Sequence, residues 1–172
     1  LALMSAGIIA LGLLRTPLRW TGAASIALAT VWALMTPQPA MLVAADGHTV
    51  AVRGKDGRLR LMRNGKDAFQ PREWLAADAD GRKVTDASLT DGVSCDAAGC
   101  VVQAGDGSVV ALTLKPEAFA DDCARAAVIV TQHQAPADCA AMVLDQEMLR
   151  TRGTLALHKT ADGYAVLANR PR

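Results

Sequence analysis

The 172-residue sequence is 51% hydrophobic but only 3% aromatic, and its 18 basic and 17 acidic side chains leave a formal charge of +1. This composition excludes a disordered tail and a collagen-like repeat. A near-neutral total names no nucleic-acid partner by itself.

Residues 1–36 stand apart, because Arg15 and Arg19 are their only charges. Leu1–Leu14 and Trp20–Thr36 are uninterrupted apolar runs. As a helix the second covers about 25 Å of a hydrocarbon core about 30 Å thick, so it is expected to span with its ends in the interface. Trp20 and Trp32 fit interfacial anchors. The pattern predicts a transmembrane helical hairpin; the alternative is one span beside a buried stub. The connector Arg15-Thr16-Pro17-Leu18-Arg19 has two arginines and no acid, which favours the cytoplasmic side and puts everything after Pro37 beyond the inner membrane. A signal peptide, with the arginines as its basic region, would export the same domain.

Residues 37–40 form a stiff, Pro-rich linker. From 41 to 172 the chain has 16 basic and 17 acidic residues. Met41–Ala45, His48–Arg53 and Arg58–Arg63 read as a three-stranded antiparallel meander, punctuated by Asp46-Gly47, Asp56-Gly57 and Asn64-Gly65. Phe69–Asp80 reads as a short helix with Trp74 and Leu75 on its apolar side. Gly92–Ala104 and Ser108–Leu114 make a hairpin around Gly105-Asp106-Gly107. Pro116 starts a helix that continues through Ala126. Strands are expected at Ala127–Thr131 and Cys139–Asp145, a helical turn at Glu147–Arg152, and a closing hairpin of Thr154–His158 and Tyr164–Asn169. The fold class is α+β, a helical hairpin followed by a β-rich domain with two or three small helices.

All four cysteines, Cys95, Cys100, Cys123 and Cys139, lie in the β-rich part. Zinc would want paired two-residue spacings or nearby histidines, whereas these spacings are wider and the histidines are scattered at 48, 133 and 158. Disulfides suit an exported domain, and Cys95-Asp96-Ala97-Ala98-Gly99-Cys100 can fold back as a hairpin. Cys95–Cys100 and Cys123–Cys139 are therefore the favoured pairs.

The apolar hairpin, the Pro-rich exit and the segment Met41–Gly54 (MLVAADGHTVAVRG) resemble the C-terminal end of ComEC-family competence proteins of the alphaproteobacterial type. The likeness continues through Phe69–Asp80 (FQPREWLAADAD), Val93–Val101 (VSCDAAGCV), Asp121–Thr131 (DDCARAAVIVT), Ala135–Cys139 (APADC) and Gly153–Asn169. The resemblance implies the last membrane helices of an inner-membrane channel for transforming single-stranded DNA, followed by a periplasmic domain like a metallo-β-lactamase. The implied partners are the inner membrane, the upstream channel domain of the same polypeptide, single-stranded DNA and other competence proteins. Enzymatic relatives carry a metal motif HxHxDH and a later His-His-Gly. Neither occurs here, and only His133, after the strand Ala127–Thr131, stands at a ligand-like position. The expectation is a degenerate, non-catalytic domain with no cofactor and no metal ligand. A residual metal-dependent nuclease and a membrane-anchored structural domain unrelated to DNA remain the alternatives.

One stretch bears on DNA directly. Arg53, Lys55, Arg58, Arg60, Arg63, Lys66 and Arg72 gather near the start of the β-rich part, opposed between 53 and 72 by Asp56 and Asp67. In a strand Arg58 and Arg60 would share one face and Leu59 and Leu61 the other. Such a face would track a phosphate backbone without reading sequence. A solvated sheet surface explains the same pattern, and the stretch lacks stacking aromatics. Asp78, Asp80, Asp121 and Asp122 read as helix-terminal or surface acids.

Overall fold

The computed structural model describes residues 2–13, 17, 19–63 and 68–168. The connector residues Arg15, Thr16 and Leu18, which carry the orientation argument, lie outside the described residues. So do the Asn64-Gly65 turn and Lys66. The chain divides into two compact units, Leu1–Gln38 and Pro39–Arg172.

In the first unit α1 (Ala2–Leu13) and α2 (Arg19–Met35) pack antiparallel. Glycines set the distance between them. A Cβ on Gly22 would lie 2.6 Å from the Gly7 carbonyl oxygen, and one on Gly7 would lie 2.7 Å from the Ile26 side chain. The outward surface is apolar, with Ile8, Leu13, Trp20, Trp32 and Met35 all exposed. Among the described residues, however, no helix is long and apolar enough to cross a membrane. The apolar run Trp20–Thr36 forms as α2, shifted by one residue to Arg19–Met35 and ending ahead of Pro37. Its 17 residues cover about 25 Å of a hydrocarbon core about 30 Å thick.

The second unit holds two five-stranded sheets. The first runs in the order β10 (Gly163–Ala168), β9 (Leu155–Thr160), β1 (Met41–Val43), β2 (Thr49–Arg53), β3 (Leu59–Arg63), all antiparallel. The other runs β4 (Ser94–Cys95), β5 (Gly99–Gln103), β6 (Val109–Thr113), β7 (Val128–Thr131), β8 (Met142–Leu144). Here β6, β7 and β8 are parallel neighbours, with α4 (Phe119–Arg125) in the crossover from β6 to β7.

Strand alternation sorts the side chains into layers. Val50, Val52, Met62, Leu155 and Leu157 of the first sheet meet Val102, Val110, Leu112, Val128 and Val130 of the second in one buried core. On the outer face of the first sheet, Ala51, Leu59 and Leu61 pack under Trp74 and Leu75 of α3 (Phe69–Ala77), with Leu89 of the 3-10 turn Ala87–Thr90. On the other outer face, Ala111 and Ile129 pack under Phe119 of α4. The result is helix, sheet, sheet, helix. A last helix, α5 (Gln146–Arg152), inserts Leu149 into the central core. With five helices and two sheets among the described residues, the α+β class holds.

Three turns share one construction. In Asp46-Gly47, Asp56-Gly57 and Asp106-Gly107 the aspartate accepts the backbone N–H two residues on, at 2.9, 3.2 and 2.9 Å. The glycine that follows takes a φ of 67°, 75° and 87° respectively, which side-chain-bearing residues avoid. Two of these hairpins lean together, since Gly105 donates its N–H to the Arg53 carbonyl at 2.8 Å.

Candidate functional site

The basic stretch is dispersed by its own fold. Arg53 ends β2 on the side that faces α3, where Asp78 caps that helix. Its guanidinium grips both Asp78 carboxylate oxygens at 3.0 and 2.7 Å and also donates to the carbonyls of Pro39 and Gly57. Both side chains are only 14% exposed, so Arg53 works as a staple between strand, turn and helix. Arg60, opposite Val52 on β3, points to the intersheet side and meets Asp56 at 3.4 Å. The pairing of Arg58 with Arg60 on one face does not form, because β3 begins at Leu59 and leaves Arg58 in the turn. Lys55 and Arg58 are exposed and carry no ion pair among the described residues. Arg63 is placed by its backbone, opposite Thr49.

The acids read as surface positions turn out to have partners. Asp80 binds Arg82 through three contacts of 2.5 to 3.0 Å, both side chains 12% exposed. Arg82 then reaches the Leu59 carbonyl at 2.8 Å and Ser88. The hydrogen bond from Arg82 outweighs burial and holds the Asp80 carboxyl below its ordinary pKa, and the same bond raises that of Arg82. This pair ties the 80–90 loop to β3, and the sequence reading passed over it. An arginine two residues after an aspartate, across a glycine, was the available signal. Asp122 accepts from the Thr113 hydroxyl at 2.5 Å, while Asp121 meets Arg125 on the open surface of α4.

A second polar cluster joins the two sheets at their hairpins. Asp106 accepts from the Ser108 hydroxyl at 2.6 Å, from Tyr164 at 3.2 Å and from the Lys159 ammonium. Lys159 also lies 4.8 Å from the Tyr164 ring centroid. Burial opposes ionisation of Asp106, but the bonds from Lys159 and Ser108 prevail and keep its pKa far below the usual carboxylate range. The bond to Asp106 raises Lys159, and burial raises Tyr164. Ser108 and Tyr164 spend their hydroxyls on each other and on Asp106, so this arrangement is a clamp.

The histidines are engaged separately. Gln132 donates its amide to the Asp46 carbonyl and to His48 Nε2, the latter at 2.9 Å. His48 therefore carries its proton on Nδ1, a buried atom with no partner among the described residues. His133 donates Nε2–H to the Leu114 carbonyl at 3.0 Å. Among the described residues no three His, Cys, Asp or Glu side chains are grouped to hold a metal ion. The cysteines form two bridges, Cys95–Cys100 between register partners of β4 and β5, and Cys123–Cys139 between α4 and the segment before β8. These are the expected pairs. Comparison with protein-family models, curated proteins and solved structures finds no match to this chain.

Proposed function

We propose that the chain is the C-terminal part of an inner-membrane channel protein of the ComEC type, with the two-sheet unit as a non-catalytic periplasmic domain. The observation that carries the reading is the layering: two sheets face to face with a helix on each outer side, as a metallo-β-lactamase-like fold requires. The segment order supports it, an apolar helical pair and a Pro-rich exit preceding the sandwich. A helix pair apolar on all sides fits lipid or neighbouring helices of the same polypeptide. Two disulfides fit an oxidising compartment. Hydrolysis in such a fold uses metal to make the nucleophilic hydroxide and hold the phosphate, and His133, the one ligand-like position, spends its Nε2 on a backbone carbonyl.

The engagement of Arg53 and Arg60 by Asp78 and Asp56 favours a second reading, a membrane-anchored structural domain without DNA contact. Deleting residues 41–172 in the source bacterium and scoring transformation by linear DNA decides between them. Loss of transformants with DNA still held outside the cell is expected. Unchanged transformation would overturn the uptake role, and stoichiometric bound metal with DNA cleavage by the purified chain would overturn the non-catalytic assignment.

A further inference from the structure

We propose that the β2–β3 turn, α3 and the 80–86 loop form a face that docks on the anionic headgroups of a lipid surface. Lys55 and Arg58 lie in the turn, Arg72 on α3 and Lys83 in the loop. All four are exposed and carry no ion pair among the described residues. Two adjoining hollows connect them, since Lys83 lines both, with Arg72 in one and Arg58 in the other.

The acids in between are engaged inside the fold. Asp56 meets Arg60 and accepts the Arg58 N–H, Arg53 grips Asp78 and Arg82 grips Asp80. Asp86 accepts from the backbone N–H and hydroxyl of Ser88. Glu73 is exposed on α3 but lines neither hollow. The lining charges are Arg58, Arg72, Arg82 and Lys83 against Asp80 and Asp86, a net +2. The hollow beside β4 and β5 has Asp96, Asp121 and Asp122 against Arg125, and the one beside Cys123 has Glu117 and Asp138, a net −2 each. The two-sheet unit is therefore polarised, and its α3 side is the one an anionic surface attracts.

The place of this face in the chain selects the anion. The chain enters the two-sheet unit at Pro39 and Ala40, and only Thr36, Pro37 and Gln38 stand between α2 and Pro39. Arg53 donates its N–H to the Ala40 carbonyl at 2.9 Å, while its guanidinium reaches the carbonyls of Pro39 and Gly57. The turn that presents Lys55 and Arg58 is thus fastened to the first residues after the apolar helices. Cations beside a membrane-held segment are drawn to anionic lipid within about a Debye length of its surface. Among the described residues no aromatic side chain lines either hollow. A base finds no ring there to stack on, which favours lipid over single-stranded nucleic acid.

The proposal rests on the reading that the helical pair is held in a membrane. The test is lysine acetylation, followed by mass spectrometry, on the full chain in lipid nanodiscs at low salt. Discs of phosphatidylcholine are compared with discs of an equal mixture of phosphatidylcholine and phosphatidylglycerol. The anionic discs are expected to slow labelling of Lys55 and Lys83 by about threefold or more, and to leave Lys115, ahead of the Pro116–Ala118 turn, unchanged. Salt of about 1 M, where the Debye length is about 3 Å, is expected to abolish the protection. Arg58→Glu with Arg72→Glu should do the same at low salt, whereas Lys115→Glu should not. Matching thermal unfolding midpoints check that the variants fold. Equal labelling in both discs, or equal slowing at Lys115, would overturn the docking and leave the membrane reading in place. A chain that enters neither disc would overturn both. Protection of Lys55 and Lys83 by oligothymidylate or inorganic phosphate, with none from anionic lipid, would assign the face to a soluble anion and overturn the docking.

Discussion

Arg53 and Arg58 sit five residues apart with the same chemistry and opposite employment. Arg53 is enclosed by Asp78 and two carbonyls, whereas Arg58 borders open solvent. Arg53→Ala is expected to cost about 2–3 kcal/mol in urea unfolding, since it strips a charge-assisted bond and leaves a half-buried carboxylate. Arg58→Ala should stay within about 0.5 kcal/mol. Equal effects would contradict the staple. Residue spacing could not separate the two arginines, because what does so is Asp78 arriving from the end of α3.

Among the elements, the β5–β6 and β9–β10 hairpins depend on Asp106. Its pKa lies below the unfolded value in the folded chain, so its contribution is present above about pH 4 and fades as the pH falls through the folded pKa. Lys159 is raised, so its share is present below its unfolded value and fades as the pH climbs through the folded one. Asp106→Asn is expected to flatten the dependence of the urea midpoint on pH between about 7 and 2, and an unaltered acid limb would remove the clamp. Local elements were largely readable from sequence, because aspartate-glycine pairs fix the turns and alternation fixes the faces. The bounds shifted where packing decides: Phe69–Asp80 shortens to α3 ending at Ala77, and Pro116–Ala126 begins as a 3-10 turn over Pro116–Ala118. Gly99 shows how tightly neighbouring strands constrain a residue. A Cβ there would strike the Leu112 carbonyl oxygen, so Gly99→Ala is expected to lower stability by about 1–3 kcal/mol, read from the unfolding midpoint.

For the whole molecule, the sequence reading found strands but not their division into two sheets. Hairpins announce themselves through their turns. The pairing of β1 with β9 and the parallel order of β6, β7 and β8 have no turn to mark them. The cysteine pairs were legible because separations of 5 and 16 residues match a hairpin and a short loop. Closing the longer loop is expected to contribute about 3 kcal/mol. Replacing Cys123 and Cys139 with alanine should therefore lower stability clearly more than replacing Cys95 and Cys100, measured by denaturant titration. A reversed order would show that the edge hairpin, not the α4 connection, limits the domain.

Synthesis order gives the β1–β9 pairing a further consequence. Met41 is synthesised well before its partner Leu157, so one side of β1 stays open while most of the domain is made. A nascent chain halted before Leu155 would present that open edge together with an inner face missing Leu155 and Leu157. It would be a ready substrate for chaperones, proteases or self-association. Maturation of this domain is thus timed by its last hairpin.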